Sequence, residues 1–431
     1  MKIRIKEKSY EEVMALPGEK HRNPMRQTKA VRLLLKAVSG FALRATHFTC
    51  EKAGMEKLGK KEPCLVLMNH SSFIDLEIAA SLLSDREYHI VCTLDGFVGK
   101  KFLMRLLGCI PAKKFINDIS LVKDMRYTVD RMKASVLMYP EASYSFDGTQ
   151  TPLPDSLGKC IRLLKVPVIM IRTNGAFLRD PLYNGLQLRD VKVSAKMEYL
   201  LSPEEIAAKS VDEINAILRK AFSFDYFKEQ QEQGVRVKEP FRADGLHRAL
   251  YRCPHCLTEG QMEGKGTRIT CHACHNSYEL SEEGELRSVT GKTAFSHIPD
   301  WYQWERQCVR KEIENGNYRL DIEVNIYMLV DTKCIYKVGE GRLIHTADGF
   351  TLTGCDGKLS YRQLPQTSYS LYSDFYWYEI GDMISIGDTQ IQYYCFPKHG
   401  ENIVAKTRLA TEELYKISLS HASYHRISAS Q

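Results

Sequence analysis

The stretch "CLVLMNHSSFIDLEIAASLL", residues 64–83, decides the fold of the first half of this chain. An apolar run ends at Asn69 and His70, and a helical pattern that carries Asp75 follows two serines. A short continuous apolar run is typical of a strand buried on both faces of a parallel sheet. However, Ser72 and Asp75 also form a capping box, in which the acid reaches back to the helix start. Taken alone, the residues His70 and Asp75 are therefore either a catalytic pair or only part of the cap of a helix.

Strands alternate with helices across residues 62–200. The apolar runs "EYHIVCT", "ASVLMYP" and "KVPVIMIRT" are predicted strands, and "KKFLMRLL" and "DSLGKCIRLL" are predicted helices. This alternation predicts an α/β domain, with a mixed sheet flanked by helices. A closing helix is predicted over 202–222, because Ser202 is a good N-cap and Pro203 follows at the first helical position.

The rest of the chain changes character twice. A short cysteine-rich module is followed by a helix, and then by Tyr-rich alternating runs separated by turn signals such as "DG". These runs predict an antiparallel sandwich or barrel, with one last helix after it. The predicted segments are a basic amphipathic segment (1–60), the α/β domain (61–225), a linker (226–249), the cysteine module (250–290), a connecting helix (291–317) and a β-rich domain with a C-terminal helix (318–431).

Composition limits the class of protein. Hydrophobic residues make up 44% and charged residues 26%, which is typical of a folded soluble chain of several domains. No apolar run reaches the roughly 20 residues that a membrane-spanning helix needs. The first residues contain no apolar core of a signal peptide, and most of the thirteen cysteines stand singly. We therefore expect a reducing, cytoplasmic location.

The basic N-terminal end predicts an anionic partner. Residues 1–60 carry fourteen Lys and Arg against six Asp and Glu. Within them, "TKAVRLLLKAVSGFALRATHF" has apolar residues at helical spacing and basic residues on another face. Such a helix can lie on an anionic membrane surface, which predicts a peripheral protein on the inner face of the membrane. The alternative is a helix packed on its own domain with a solvated basic face. Nucleic acid is disfavoured, because no aromatic residues interleave with the basic ones.

Three further stretches support a catalytic role for His70. They are "LLGCIPAKK" (106–114), "LMYPEASYSFDG" (137–148) and "LLKVPVIMIRTNG" (163–175). In this order and spacing, the four stretches resemble the glycerolipid acyltransferase family, which includes lysophosphatidate and glycerol-3-phosphate acyltransferases. The resemblance covers roughly residues 25–222. The family motif Asn-His-x4-Asp is met by Asn69, His70 and Asp75, and a second motif ends in a basic residue, here Lys114.

The third motif carries the main departures from the family. Its pattern Phe-Pro-Glu-Gly-Thr-Arg-Ser corresponds to residues 139–145, so Ala142 replaces the glycine and Tyr144 replaces the arginine. In the family this arginine helps to hold the phosphate of the acyl acceptor, and a phenol cannot form the same charged fork. Lys113, Lys114 or Arg162 could supply the charge, or the acceptor could carry its phosphate differently or lack one.

The resemblance implies an acyltransferase of 1-acylglycerol-3-phosphate type in phospholipid biosynthesis or remodelling. It implies an acyl thioester donor, either acyl-CoA or acyl carrier protein, and a lysophospholipid acceptor. In chemical terms, His70 is the predicted base for the acceptor hydroxyl, and Asp75 fixes its tautomer. The predicted acceptor-binding residues are the following: Lys114, Glu141, Ser143 and Tyr144. The alternative is a catalytically inactive domain in a zinc-dependent lipid-binding or scaffold protein.

The cysteine module predicts a structural zinc site. "CPHC" and "CHAC" place four cysteines in a Cys-x2-Cys-x14-Cys-x2-Cys pattern, the spacing of a zinc ribbon: Cys253, Cys256, Cys271 and Cys274. Four thiolates leave no open position on the metal, so the predicted role is structural and not catalytic. A neighbouring histidine in place of one cysteine is the alternative. Only two basic residues lie between the cysteine pairs, which disfavours nucleic acid and favours docking to another domain or to a partner.

Overall fold

The structure, a computed structural model, describes residues 3–116, 118–399 and 402–428. The N-terminal segment does not stand apart from the rest of the fold. Strand β1 (Ile5–Glu7) pairs in parallel with the distant strand Ile335–Thr346, and helix α1 (Tyr10–Met14) follows it. Helix α2 (Lys29–Ala45) begins at the N-cap Thr28, as the helical spacing predicts. The predicted 1–60 segment is therefore divided between the C-terminal sheet and the α/β domain.

A seven-stranded mixed sheet forms the centre of the α/β domain, which confirms the predicted fold class. Its order is β2-β8-β7-β3-β6-β4-β5, and the pairing is parallel except between β7 and β8. The strands are β2 (Thr49–Ala53), β3 (Leu65–Met68), β4 (Tyr88–Thr93), β5 (Cys109–Ala112), β6 (Ser135–Met138), β7 (Val168–Asn174) and β8 (Ser194–Leu201).

Strand β3 is the central strand of this sheet, and every one of its side chains is buried. Helices and loops must therefore cover both of its faces. The helices of this domain are α3 (Ile74–Leu82), α4 (Lys101–Leu106), α5 (Ile119–Arg126), α6 (Leu157–Leu164), α7 (Ala176–Arg179), α8 (Pro203–Ala208), α9 (Val211–Ala221) and α10 (Tyr226–Glu232). A capping box at Ser202 starts α8, as predicted, but the single helix predicted over 202–222 is divided into α8 and α9, because a second capping box at Ser210 starts α9. The segment predicted as a linker instead begins with α10, whose Tyr226 and Phe227 are buried.

A four-stranded antiparallel ribbon follows, and then a long helix. The ribbon contains β9 (Met262–Lys265), β10 (Arg268–Cys271), β11 (Ser277–Leu280) and β12 (Leu286–Ser288), and the helix is α11 (Ile298–Glu314). One hydrophobic cluster joins Phe146 and Phe177 of the α/β domain to Tyr278 of the ribbon and Trp301 of α11. The ribbon therefore docks on the neighbouring domain through shared core contacts.

The C-terminal region is β-rich and ends in a helix, as the fold class predicts. It forms one sheet with order β16-β15-β14-β13-β19-β18-β17, to which β1 adds an edge pairing with β14. The elements are β13 (Leu320–Leu329), β14 (Ile335–Thr346), β15 (Gly349–Gly354), β16 (Leu359–Gln363), β17 (Tyr372–Trp377), β18 (Gly381–Gly387), β19 (Gln392–Pro397) and α12 (Val404–Ser428). Helix α12 packs along α11 and reaches the α/β domain.

The first prediction tests whether the N-terminal segment belongs to the C-terminal core. Val13 is 1% exposed in the same cluster as Val324 and Leu352, so Val13→Ala should lower the free energy of unfolding by about 2 kcal/mol. The adjacent Met14 is 47% exposed, and Met14→Ala should change the free energy of unfolding by less than about 0.5 kcal/mol. Urea unfolding of the full chain measures both variants. Equal midpoints would contradict the assignment.

Candidate active site and metal site

The candidate site is built where five neighbouring strands end. In a parallel sheet the carboxyl ends of the strands meet at one edge, which is where open α/β sheets place ligands. His70 follows β3, Asp95 follows β4, Lys114 follows β5 and Glu141 follows β6, while Thr173 lies at the end of β7. The topology therefore brings together residues that are more than 100 positions apart in sequence.

His70 and Asp75 form the pair that the motif predicts. Asp75 is completely buried, and its Oδ2 lies 3.1 Å from His70 Nδ1. The same oxygen accepts the backbone N–H groups of Ser71 at 2.7 Å and Ser72 at 3.0 Å. Because a carboxylate only accepts, we expect the His70 proton on Nδ1, which would leave the Nε2 lone pair for a substrate. Asp75 therefore binds both the backbone before α3 and the His70 ring, but the predicted capping box is not complete, because Phe73 is the N-cap of α3 and has no side-chain cap.

The loop around His70 is fixed by a residue that the sequence did not reveal. Tyr226 of α10 is buried, and its hydroxyl lies 2.8 Å from Ser71 Oγ and contacts the Asn69 side chain. Asn69 also donates to Thr173 Oγ1 at 2.9 Å and accepts the Thr173 N–H at 2.8 Å. These contacts join β3, β7 and α10 behind the histidine. No local pattern marks Tyr226, because its partners lie about 155 residues earlier in the chain.

Glu141 is placed differently from the predicted acceptor contact. It is 1% exposed, and its two oxygens accept the backbone N–H of His70 at 3.1 Å and of Thr151 at 2.9 Å. Burial raises the pKa of Glu141 to about 7, although both backbone hydrogen bonds oppose this shift. Glu141 therefore orients the backbone of His70, and direct acceptor binding by Glu141 stays a prediction.

The second prediction follows from the raised pKa of Glu141. A carboxyl group whose pKa is higher in the folded chain than the 4.5 of the free group stabilises the fold most below pH 4.5. This stability is lost as the pH rises toward about 7, at up to about 1.4 kcal/mol per pH unit. Glu141→Gln should therefore gain stability relative to wild type between pH 5 and pH 8, as measured by urea unfolding at both values. A constant difference would contradict the assignment.

Two aromatic rings enclose the His70 imidazole. Its centroid lies 4.3 Å from that of Tyr139 and 4.3 Å from that of Tyr144, both from the third motif. Tyr144 therefore packs on the candidate base and does not replace the missing arginine as a charge. The hydroxyl of Ser143 accepts a hydrogen bond from Arg408 at 2.7 Å. Direct acceptor binding by Ser143 and Tyr144 stays a prediction.

Lys114 is enclosed by the C-terminal sheet. Its ammonium lies 4.1 Å from the ring centroid of Tyr372 on β17, and burial lowers the pKa of Lys114 while Asp95 and Asp374 oppose this. Acceptor binding by Lys114 stays a prediction, since a phosphate would have to share the ammonium with two carboxylates. Lys113 donates to a backbone carbonyl of the C-terminal sheet.

Arg162 is the third residue considered as a source of charge for the acceptor. It lies near the end of α6, on an exposed part of that helix. Since α6 leads into the amino end of β7, Arg162 lies at the edge of the sheet opposite to His70. The structure therefore does not bring Arg162 to the candidate site.

The four predicted ligand cysteines converge. Their Sγ atoms lie within 4.8 Å of one another, and Cys253–Cys274 and Cys256–Cys271 are each 3.7 Å apart: these four residues are the cluster. A tetrahedral zinc site with bonds of about 2.3 Å has S–S distances of about 3.8 Å, so the cluster fits. Zinc remains the predicted metal, and its role would be to hold the two cysteine turns together.

The third prediction concerns this cluster. Cys271→Ser removes a buried ligand, so we expect the metal content to fall from about one ion per chain to a small fraction, together with a lower Tm. Elemental analysis after dialysis measures the content and also identifies the metal. Cys308→Ser on α11 is the control, since this thiol lies outside the cluster. Unchanged metal content in Cys271→Ser would contradict the site.

Comparisons with known proteins agree with the site geometry. A family model described as Acyltransferase matches residues 49–173, which include His70, Asp75, Lys114 and Glu141. No curated protein matches the chain. Seven chains of solved structures match, among them the 1-acyl-sn-glycerophosphate (LPA) acyltransferase PlsC from Thermotoga maritima. That match has 17% identity and a TM-score of 0.34, and it covers 46% of this chain and 82% of that chain.

The family match confirms the predicted resemblance for this part of the chain. The match covers the part of the α/β domain that runs from β2 into β7, residues 49–173. The four-cysteine ribbon and the C-terminal sheet lie outside the matched segment. What they contribute has to be argued from their contacts.

Proposed function

We propose that this protein is an enzyme that transfers a fatty acyl group from a thioester to the hydroxyl of a lysophospholipid. The thioester is acyl-CoA or acyl carrier protein, and 1-acylglycerol-3-phosphate is the acceptor that the motif resemblance favours. The observation that carries the proposal is the hydrogen bond between His70 and the buried Asp75 within the segment that matches the family. Such a reaction belongs to phospholipid biosynthesis or remodelling.

The chemistry requires a base, because an alcohol is a poor nucleophile near pH 7. His70 Nε2 takes the proton of the acceptor hydroxyl as its oxygen forms a bond to the thioester carbonyl carbon. Asp75 stabilises the imidazolium that results. The C–S bond then breaks, and the imidazolium returns its proton to the leaving thiolate. The products are an ester and a free thiol, and His70 ends in its starting state.

The fourth prediction tests the base directly. His70→Ala should lower kcat by about 10²- to 10⁴-fold, because general base catalysis contributes that much. The assay follows thiol release from acyl-CoA and from acyl carrier protein in the presence of a panel of lysophospholipids. Asp75→Asn should also lower kcat, since the amide no longer fixes the tautomer.

Wild-type turnover and an equally active, folded His70→Ala variant would show that another group is the base. No turnover of any acceptor by wild type, with retained lipid binding, would favour the inactive scaffold. The thioester assay therefore separates the two hypotheses stated for this chain.

The enzyme also needs access to a lipid, and the surface of α2 supports membrane docking. No helix in the described part of the chain is both long and apolar enough to cross a bilayer. The outer face of α2 instead exposes several apolar side chains: Leu33, Leu34, Val38 and Phe41. Helix α2 packs on α3, where Phe73 is 58% exposed and lies 6.2 Å, ring to ring, from Tyr144. We therefore propose that the protein binds peripherally to an anionic membrane, with α2 and Phe73 facing the lipid.

The fifth prediction tests this surface. Phe41 is 76% exposed, and Phe41→Glu should weaken binding to vesicles of phosphatidylcholine and phosphatidylglycerol by about tenfold or more. Leu188→Glu is the matched control, because Leu188 is a similarly exposed apolar residue outside α2 and α3. Vesicle co-sedimentation measures both variants. Equal binding of the two would contradict a docking role for α2.

A further inference from the structure

The third motif, residues 139–145, contains a turn that other parts of the chain must hold in place. Ala142 has a φ of 55°, which lies in the left-handed region that costs a residue with a side chain roughly 1–2 kcal/mol. The residues that follow it carry the ring of Tyr144, which packs on His70. A strained turn next to the candidate base persists only if neighbouring groups hold it in place.

Arg408 of α12 supplies such a restraint from the other end of the chain. Its Nη2 donates to Ser143 Oγ at 2.7 Å, and its Nη1 donates to the backbone carbonyl of Tyr144 at 3.3 Å. The guanidinium carbon lies 4.4 Å from the ring centroid of Phe146. One side chain therefore contacts three of the four residues that follow Ala142.

Arg408 is itself held rigidly. It is 3% exposed, and its Nε donates to Glu412 Oε1 at 3.3 Å on the same helix. Glu412 also accepts from Ser370 Oγ at 2.7 Å and pairs with Arg306 of α11 at 2.7 Å. A buried, hydrogen-bonded network of this kind fixes geometry, because any displaced member would leave a charge unpaired in the interior.

We propose that Arg408 is a positioning residue for acyl transfer, which holds Ser143 and Tyr144 so that Tyr144 keeps the His70 ring in place. The inference rests on the proposed function and extends it, since it makes the C-terminal helix a part of the active site. The third motif has lost its own arginine, and a guanidinium from α12 braces the same turn from outside. Each of the three guanidinium nitrogens of Arg408 donates to a protein group, and two of these hydrogen bonds go to the third motif, so the role proposed for Arg408 is structural support of the site.

Arg306 offers a matched control, because loss of any buried ion pair could reduce activity without a specific effect on the third motif. Arg306 pairs with Glu412 at 2.7 Å and with Glu413 at 3.1 Å, so its removal damages the same network. Among the contacts of the described residues, Arg306 makes none with Ser143 or Tyr144. The two variants Arg408→Ala and Arg306→Ala therefore differ mainly in the brace on the third motif.

The experiment compares these two full-length variants with wild type in the thioester assay. Arg408→Ala should lower kcat by about 10- to 100-fold with a smaller change in KM, because a displacement of the ring near His70 misplaces the base. Arg306→Ala should stay within about threefold of wild type per folded molecule. Millimolar guanidinium ion should restore part of the kcat of Arg408→Ala and none of that of Arg306→Ala. Equal losses in both variants, or no loss in Arg408→Ala, would overturn the proposal.

A second readout does not depend on turnover. Carbethoxylation of His70 by diethyl pyrocarbonate, followed by mass spectrometry of the His70 peptide, reports how well the aromatic rings shield the imidazole. The rate should rise about fivefold or more in Arg408→Ala and remain unchanged in Arg306→Ala. If Arg408→Ala does not fold, Arg408→Lys replaces it and should show smaller changes in the same direction. Wild type without turnover would sink the proposed function, whereas an unchanged modification rate would sink the role of Arg408.

Discussion

The buried carboxylate of Asp75 is the constraint on which the candidate site depends. One oxygen of this side chain binds two backbone N–H groups at the start of α3 and the ring of His70. The backbone at the start of α3 therefore fixes the position of the carboxylate, and we expect the carboxylate to select the tautomer of the histidine. Because α3 follows the central strand β3, the pair lies at the sheet edge where the ends of four other strands meet.

The sequence predicted the features that local patterns encode. The buried strand β3, the His70–Asp75 pair and the cysteine cluster follow from an apolar run, a five-residue spacing and two Cys-x2-Cys turns. It did not predict Tyr226, which was placed at the edge of a linker, or the pairing of β1 with β14. These are contacts between residues far apart in the chain, and no periodicity records which distant group a side chain meets.

The surroundings of the predicted acceptor-binding residues show a second kind of information that a motif lacks. A motif states which residue type stands at a position, but it does not state which way the side chain points. Glu141 was expected at the acceptor, yet both of its oxygens bind backbone N–H groups in the interior. Lys114 was predicted to bind the acceptor, and its ammonium lies 4.1 Å from the ring centroid of Tyr372 on β17, a contact that the motif does not encode. In both cases, burial by a neighbouring element decides the role.

The C-terminal region shares core contacts with the α/β domain. Phe375 of β17 packs on Phe146 of the third motif at 4.7 Å, and Ala142 packs on the aromatic cluster that includes Tyr372 and Trp377. The ribbon shares a hydrophobic core with α11, α12 and the α/β domain.

The central claim is that Asp75 holds the imidazole of His70 with its proton on Nδ1, so that Nε2 can act as the base. Nuclear magnetic resonance of the imidazole nitrogens in ¹⁵N-histidine-labelled protein measures the tautomer directly. We predict that neutral His70 is the Nδ1–H tautomer in wild type and that this preference is lost in Asp75→Asn. A wild-type His70 with its proton on Nε2 would contradict the account.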